Sequence, residues 1–430
     1  MTDDVSRRRF IRTGLIAGGA VALAGCSGSE DDQSTESEAA SDTGETNSDG
    51  GGPTFPEIDD PPEAVYLPTH FEAMRHLDPV EAGAFELMPM VTYPHRFWNV
   101  TGEEVEPANP EGDDVHLMVA VRDPESGMVL PVGTGLQIQV GREGEPKTPY
   151  APWPMLSQEM GFHFGDNIPL GDDGTYEVDV TVGAFDVELT GEFADRFDES
   201  ATGTFRFEFD QEFRNEVVDE IEYLDEQYWG EPGALGPMSH GMGHDHGDED
   251  HHDDFGHVDG HDHDDGGHGG HDHGTDYGGF GTYVRDSGET ELPPTESLPG
   301  QLLGAPISGD AVIATTLFSA DSRFVEEGQY LAVSPRTPYN RGMLPMMSID
   351  LTVDRESEAE SIVETQLTET MDHELGYHYA VRTAALDGVE FEDGDTLTLS
   401  FPTIPQVSRH RGYETAFTDM EPVELTVELS

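Results

Sequence analysis

The stretch "GDDGTYEVDVTV", Gly171 to Val182, sets an Asp-Asp-Gly turn ahead of Tyr176, Val178, Val180 and Val182 at every second position. Alternation of this kind sends one row of side chains into a core and the other into solvent, so it predicts a strand buried on one face. "EDGDTLTLSF", Glu392 to Phe401, repeats the device with Leu397, Leu399 and Phe401. Outward from the first, "VHLMVAVRD" (115–123), "TGLQIQV" (134–140) and "GTFRFEFD" (203–210) alternate in the same way; outward from the second, "MMSIDLTV" (346–353) and "PVELTVEL" (422–429) do so. Short alternating strands between Gly, Pro and Asp turns predict an all-β chain of antiparallel β-sandwiches. One helix is predicted after the first set, where Phe213, Val217, Ile221, Leu224 and Tyr228 fall at steps of three and four within 211–230.

The two sets share landmarks. Leu130-Pro131 precedes His163 by 33 residues, and Leu344-Pro345 precedes His378 by 34. Both histidines stand between two aromatic residues behind a glycine, in "MGFHF" (160–164) and "LGYHY" (375–379). The common order and distances predict a duplicated domain in which His163 and His378 are equivalent. The composition breaks give five segments: 1–26, a signal peptide; 27–61, an acidic spacer; 62–230, the first sandwich with its helix; 231–282, a His/Asp/Gly-rich linker; and 283–430, the second sandwich.

The opening "SRRRFIRTG", with Arg7 and Arg8, precedes an apolar run too short to span a bilayer and the "LAGC" that ends at Cys26. This predicts twin-arginine export and lipidation of Cys26, leaving the protein anchored at the outer face of the cell membrane. Cys26 is the one cysteine, so any metal site must use His, Met and carboxylates. Asp and Glu number 89 against 20 Lys and Arg, a formal charge of −69 spread along the chain. Such a chain needs concentrated salt to screen its self-repulsion and cannot neutralise phosphates, which excludes nucleic acid as a partner. No Ser-His-Asp order, phosphate loop or zinc-protease motif occurs, and no enzymatic activity is expected.

"APWPMLSQEMGFHFGDNIPLGDDGTYEVDVTV" (151–182) resembles the core of the periplasmic iron-transport-associated metal-binding family, whose members are Ig-like sandwiches able to bind copper. The resemblance rests on Pro154-Met155, His163-Phe164-Gly165-Asp166-Asn167 and Gly174 to Val178. It implies a metal-binding lipoprotein of iron acquisition, an iron permease as partner, and a dimer, or here an internal pseudo-dimer of the two halves. It also implies an acidic residue on the first strand and a later histidine ahead of the closing strand. The first strand, "AFELMPMVTYPHRF", offers Glu86, Met88, Met90 and His95. The later histidine is missing from the first half, where Phe193 or Arg196 stands near its place; the second half has it as His410, with Met371 seven residues ahead of His378.

Imidazole and carboxylate suit Fe(II), Cu(II) and Zn, and a thioether biases a site towards copper. The expected ligands are therefore Met155, Met160, His163, Glu86 and Met88 in the first half, and Met371, His378 and His410 in the second. His70, His76 and His116 are assigned to structure. The linker holds 11 of the 19 histidines, among them His244, His246, His251, His252, His261, His263, His271 and His273, interleaved with Asp. These predict labile sites for iron, copper or zinc on a disordered tether. The favoured function is a non-enzymatic carrier of iron or copper; a structural or adhesive surface protein, and a copper buffer unrelated to iron, are the other readings the residues admit.

Overall fold

The computed structural model describes residues 52–236, other than 132 and 134, and 294–429, other than 321 and 387. Cys26 and the linker histidines lie outside the described residues. Both sandwiches belong to one compact unit. The protein is mostly β, with two sandwiches and one α-helix among the described residues.

In the first half, strands Phe85–Thr92, Val115–Arg122, Gly161–Ile168 and Trp153–Ser157 lie side by side in that order. The facing sheet runs Ala201–Phe209, Gly174–Val182, Gln137–Arg142, Thr148–Tyr150. Tyr176, Val178, Val180 and Val182 are buried and Glu177, Asp179 and Thr181 are not, as the alternation requires. Each buried valine of this row is worth roughly 1.5–3 kcal/mol of apolar transfer. The second half repeats the plan: Thr368–Asp372, Gly376–Arg382, Tyr330–Arg336 and Ala311–Phe318 form one sheet, and Val363–Gln366, Ser348–Asp354, Thr396–Thr403 and Val423–Thr426 face it.

The halves exchange short strands. Ser408–Arg409 of the second half adds in parallel to Trp153–Ser157 of the first, pairing Met155 with Ser408 and Leu156 with Arg409. Glu188–Thr190 of the first half adds in parallel to Thr368–Asp372 of the second, pairing Glu188 with Thr370 and Leu189 with Met371. The loop ahead of each closing strand is thus delivered to the other half.

The helix is shorter than its apolar spacing predicts, Gln211–Asp219. Asp210 caps it, its side chain accepting from the Phe213 N–H at 2.8 Å, and Phe213 and Val217 are buried. No basic residue occupies its last turn, and Asp219, Glu220 and Glu222 oppose the negative end of its dipole. The chain instead leaves the helix to pair Glu222–Tyr223 with His70–Phe71.

Candidate metal centre

The strand Val115–Arg122 is buried on both faces. Leu117, Val119 and Val121 join the main apolar core between the sheets, which leaves His116, Met118 and Ala120 on the outer face. His163 shares that face: Phe162 and Phe164, its neighbours, belong to the main core. Two segments cover it. One is the stretch around Glu72 and Met74, held where the Thr92 hydroxyl donates to the Ala73 carbonyl. The other is the exchanged strand, whose next residue, His410, donates its N–H to the Leu156 carbonyl at 3.1 Å. Gln158 fastens this loop by donating to the Tyr66 and Gly412 carbonyls at 2.8 and 3.2 Å.

The outcome is a cluster of four buried imidazoles. Ring centroids lie 4.2 Å apart for His95 and His116, and 5.0 Å apart both for His95 with His410 and for His163 with His410. Nitrogens of His95, His116 and His410 lie within 4.8 Å of one another. Each Nδ1 faces an oxygen: the Tyr93 carbonyl at 3.3 Å from His95, the Asn167 Oδ1 at 2.9 Å from His116, the Gly161 carbonyl at 3.2 Å from His163, and the Glu72 carboxylate at 3.1 Å from His410. Asn167 is oriented by donating its Nδ2 to the His95 carbonyl at 2.8 Å, which turns its oxygen to His116. These acceptors fix the proton on Nδ1 and leave a lone pair on Nε2. All four Nε2 atoms are buried and lack a hydrogen-bond partner among the described residues.

Burial disfavours charge on three of the four rings. Burial pushes His95 down to about 4 and His163 to about 3, and drives His116 well below the ordinary imidazole range. Burial alone would raise the Glu72 carboxyl, but the His410 and His95 imidazoles beside it hold it well below the usual carboxylate range. Glu72 also reaches within 3.7 Å of the His95 Nε2. A narrow cleft lined by His70, Glu72, Glu159, His410 and Arg411 leads to this side of the cluster.

Met155 is fully buried and stands opposite His163 in the sheet. A Cβ on Gly165 would lie 2.9 Å from the His116 Nε2 and 3.0 Å from the Met155 sulfur. One small volume is therefore flanked by an imidazole nitrogen and a thioether. A tetrahedral ion bound by nitrogen at about 2.0–2.1 Å needs donors gathered around one point, and imidazole nitrogens with a thioether are a donor set that fits such an ion.

The expected ligands distribute unevenly. His163, His410 and Met155 come together, and so does His95, which the first strand offered. His116, assigned to structure from the sequence, stands inside the cluster; His70 lines the cleft. Glu86 is engaged instead by Arg122, whose Nε donates to it. Met88 and Met160 lie in a neighbouring methionine cluster. Met371 faces the main core, because the register aligns Thr370 with His378, as Met155 aligns with His163. That one-residue slip puts Met371 in the place of Leu156, on the opposite face. His378 has both ring nitrogens engaged, Nε2 with the Tyr330 hydroxyl at 2.8 Å and Nδ1 with the Gly376 carbonyl at 2.9 Å. His410 serves His163 rather than His378, because its strand crosses between the halves.

Comparing the halves strand by strand, Tyr330 takes the place of His116, Thr370 that of Met155, Ala380 that of Gly165 and Thr190 that of His410. Thr190 donates to Asp372 at 2.7 Å, and Asp372 is paired with Arg323 at 2.6 Å. An ion pair and a tyrosine hydroxyl thus occupy the second half's version of the centre.

A family model described as "Domain of unknown function (DUF7350)" matches residues 296–426. No match was found among curated proteins. Among solved structures the chain is similar to a copper-bound variant of FetP from uropathogenic Escherichia coli strain F11, at 17% identity and a TM-score of 0.25 over 31% of this chain and 93% of that one. It is similar to the 'as isolated' form of the strain F11 FetP, recombinantly expressed in the periplasm of E. coli BL21(DE3), at 19% identity and a TM-score of 0.24, over 32% and 95% of the two chains. A copper-bound variant of P19 from Campylobacter jejuni gives 15% identity and a TM-score of 0.24, over 32% and 96%. At these values the likeness assigns no residue and no activity to this chain.

Proposed function

We propose that the protein is a non-enzymatic metal carrier with a folded centre built from His95, His116, His163, His410 and Met155, and that copper is the ion it suits best. The observation that carries this reading is a cluster of four buried imidazoles whose Nε2 atoms have no hydrogen-bond partner among the described residues, with ring nitrogens of His95, His116 and His410 within 4.8 Å of one another. Leaving such groups unpaired costs roughly 1–3 kcal/mol each, a cost that an ion taking their lone pairs removes. Imidazoles alone would also accept Fe(II) or Zn(II); the Met155 thioether tilts the set towards copper. Glu72 orients His410 and places negative charge at the cleft. Export, the Cys26 anchor, service to an iron permease and the internal pairing of the halves complete the proposal, motivated by the signal sequence, the thirty-residue resemblance and the exchanged strands.

The test is the Cu(II)-dependent rise in melting temperature of the full chain in molar salt. Ligands that bind only the folded state raise it, whereas linker histidines bind folded and unfolded chains alike and largely cancel. The rise should disappear in the His163→Ala, His410→Ala double variant and persist in His378→Ala, whose own imidazole is already satisfied. An undiminished rise in the double variant would refute the reading.

A further inference from the structure

Beside the imidazoles the outer face carries a separate apolar cluster, Met74, Met90, Met118, Ala120 and Met160, with the half-buried Met88 against it. Four of its five fully buried members are methionine, against 3 of the 58 buried residues of the main core, so thioethers are concentrated here rather than used as general filler. Met90 and Met118 are cross-strand partners, and Met118 stands opposite Gly165. The Cβ position of Gly165 that touches the His116 Nε2 and the Met155 sulfur lies 3.3 Å from the Met118 side chain. Cluster and imidazole centre are therefore contiguous.

The second half shows that the fold does not demand these residues. By strand register, Ala314 stands for Met88, Thr316 for Met90, Ala332 for Met118 and Leu375 for Met160. The same face packs there with Leu298, Phe318, Phe324 and Tyr330. The methionines occur on the face that has the open imidazoles and are replaced on the face that lacks them. We propose that Met74, Met90, Met118 and Met160, with Met88 at the rim, form a second site, composed of thioethers alone, for a soft monovalent ion, Cu(I). Neutral, polarisable sulfur favours Cu(I) over harder divalent ions, and a thioether needs no deprotonation to ligate.

This site goes beyond the imidazole centre and fails separately from it. The probe is Cu(I) itself, added anaerobically in chloride-free molar salt to the full chain labelled with 13C at the methionine methyls. The methyl signals of Met90, Met118 and Met160 should shift, while those of Met343, Met347 and Met371 in the main core stay fixed and Zn(II) moves none of these. The same shifts should appear in the His163→Ala, His410→Ala chain. The Met90→Leu, Met118→Leu variant keeps side-chain volume nearly constant and should bind one Cu(I) fewer at unchanged Zn(II) stoichiometry. Unmoved Met90 and Met118 methyls in the parent chain, or an unchanged Cu(I) stoichiometry in the leucine variant, would overturn the proposal.

Discussion

Gly165→Ala tests the centre without removing any ligand. Gly165 lies in an extended strand and is absent from the positive-φ glycines, so alanine meets no backbone objection there. Its methyl would lie 2.9 Å from the His116 Nε2, 3.0 Å from the Met155 sulfur and 3.3 Å from Met118. Comfortable contact is about 3.5–4.0 Å, so the first two groups must retreat by about half an ångström. Metal–ligand distances tolerate only about 0.2 Å. The displacement therefore exceeds what coordination accepts, and copper affinity should fall at least tenfold, about 1.4 kcal/mol. Overpacking should cost the metal-free fold about 1–3 kcal/mol. Gly203→Ala provides the control: its methyl would press on Leu87 at 2.7 Å, in the main core. Melting temperatures of both variants, with and without Cu(II), separate the effects. Both should lose stability without metal, and only Gly165→Ala should also lose the metal-dependent increment. An increment equal to that of the parent chain would show that His116 and Met155 do not share an ion.

Two further outcomes follow from the groups around the centre. Glu72→Gln keeps the shape beside His410 but replaces a charged acceptor with a neutral amide, and should weaken copper binding by about 10- to 100-fold in competition titrations, as loss of an orienting partner does; unchanged affinity would remove Glu72 from the site. In metal-free protein, His70 and His378 are held near 4 and His163 near 3 by burial, against 6.5 for the free side chain. Between about 6.5 and 4 the unfolded chain binds protons that the folded chain refuses, so stability must fall as the pH is lowered through that window. The depressed Glu72 carboxyl adds to the loss below its ordinary range. Melting temperatures measured in molar salt after chelation should decline steadily from pH 7 to pH 5, and a flat profile would contradict the burial of neutral rings.

The sheets were legible because alternation is a local property. Tyr176, Val178, Val180 and Val182 announce a buried row whatever surrounds them, and "MGFHF" and "LGYHY" mark the two halves through turn geometry repeated in each. The helix was legible only in its first half, where Asp210 and the Phe213–Val217 spacing act locally; its end was set by pairing with a strand about 150 residues earlier in the chain.

The centre was legible only in part. "VHLMVAVR" announces two faces to its strand, so His116 and Met118 could be assigned to the outer one, but nothing in those eight residues says that the outer face would be covered. Burial of that face, and with it the depressed proton affinity of His116 and His163 and their unsatisfied Nε2 atoms, comes from residues 72–74 and from His410. Likewise Met371 and Met155 look alike by their distance from a histidine, and a one-residue difference in strand register sends them to opposite faces. The sequence by itself determined which strands form and which side chains each strand turns the same way. Tertiary structure decided which residues meet, because an exchanged parallel strand joins positions about 250 residues apart, and the hydrogen bonds that place His410 beside His163 leave no periodicity in either segment.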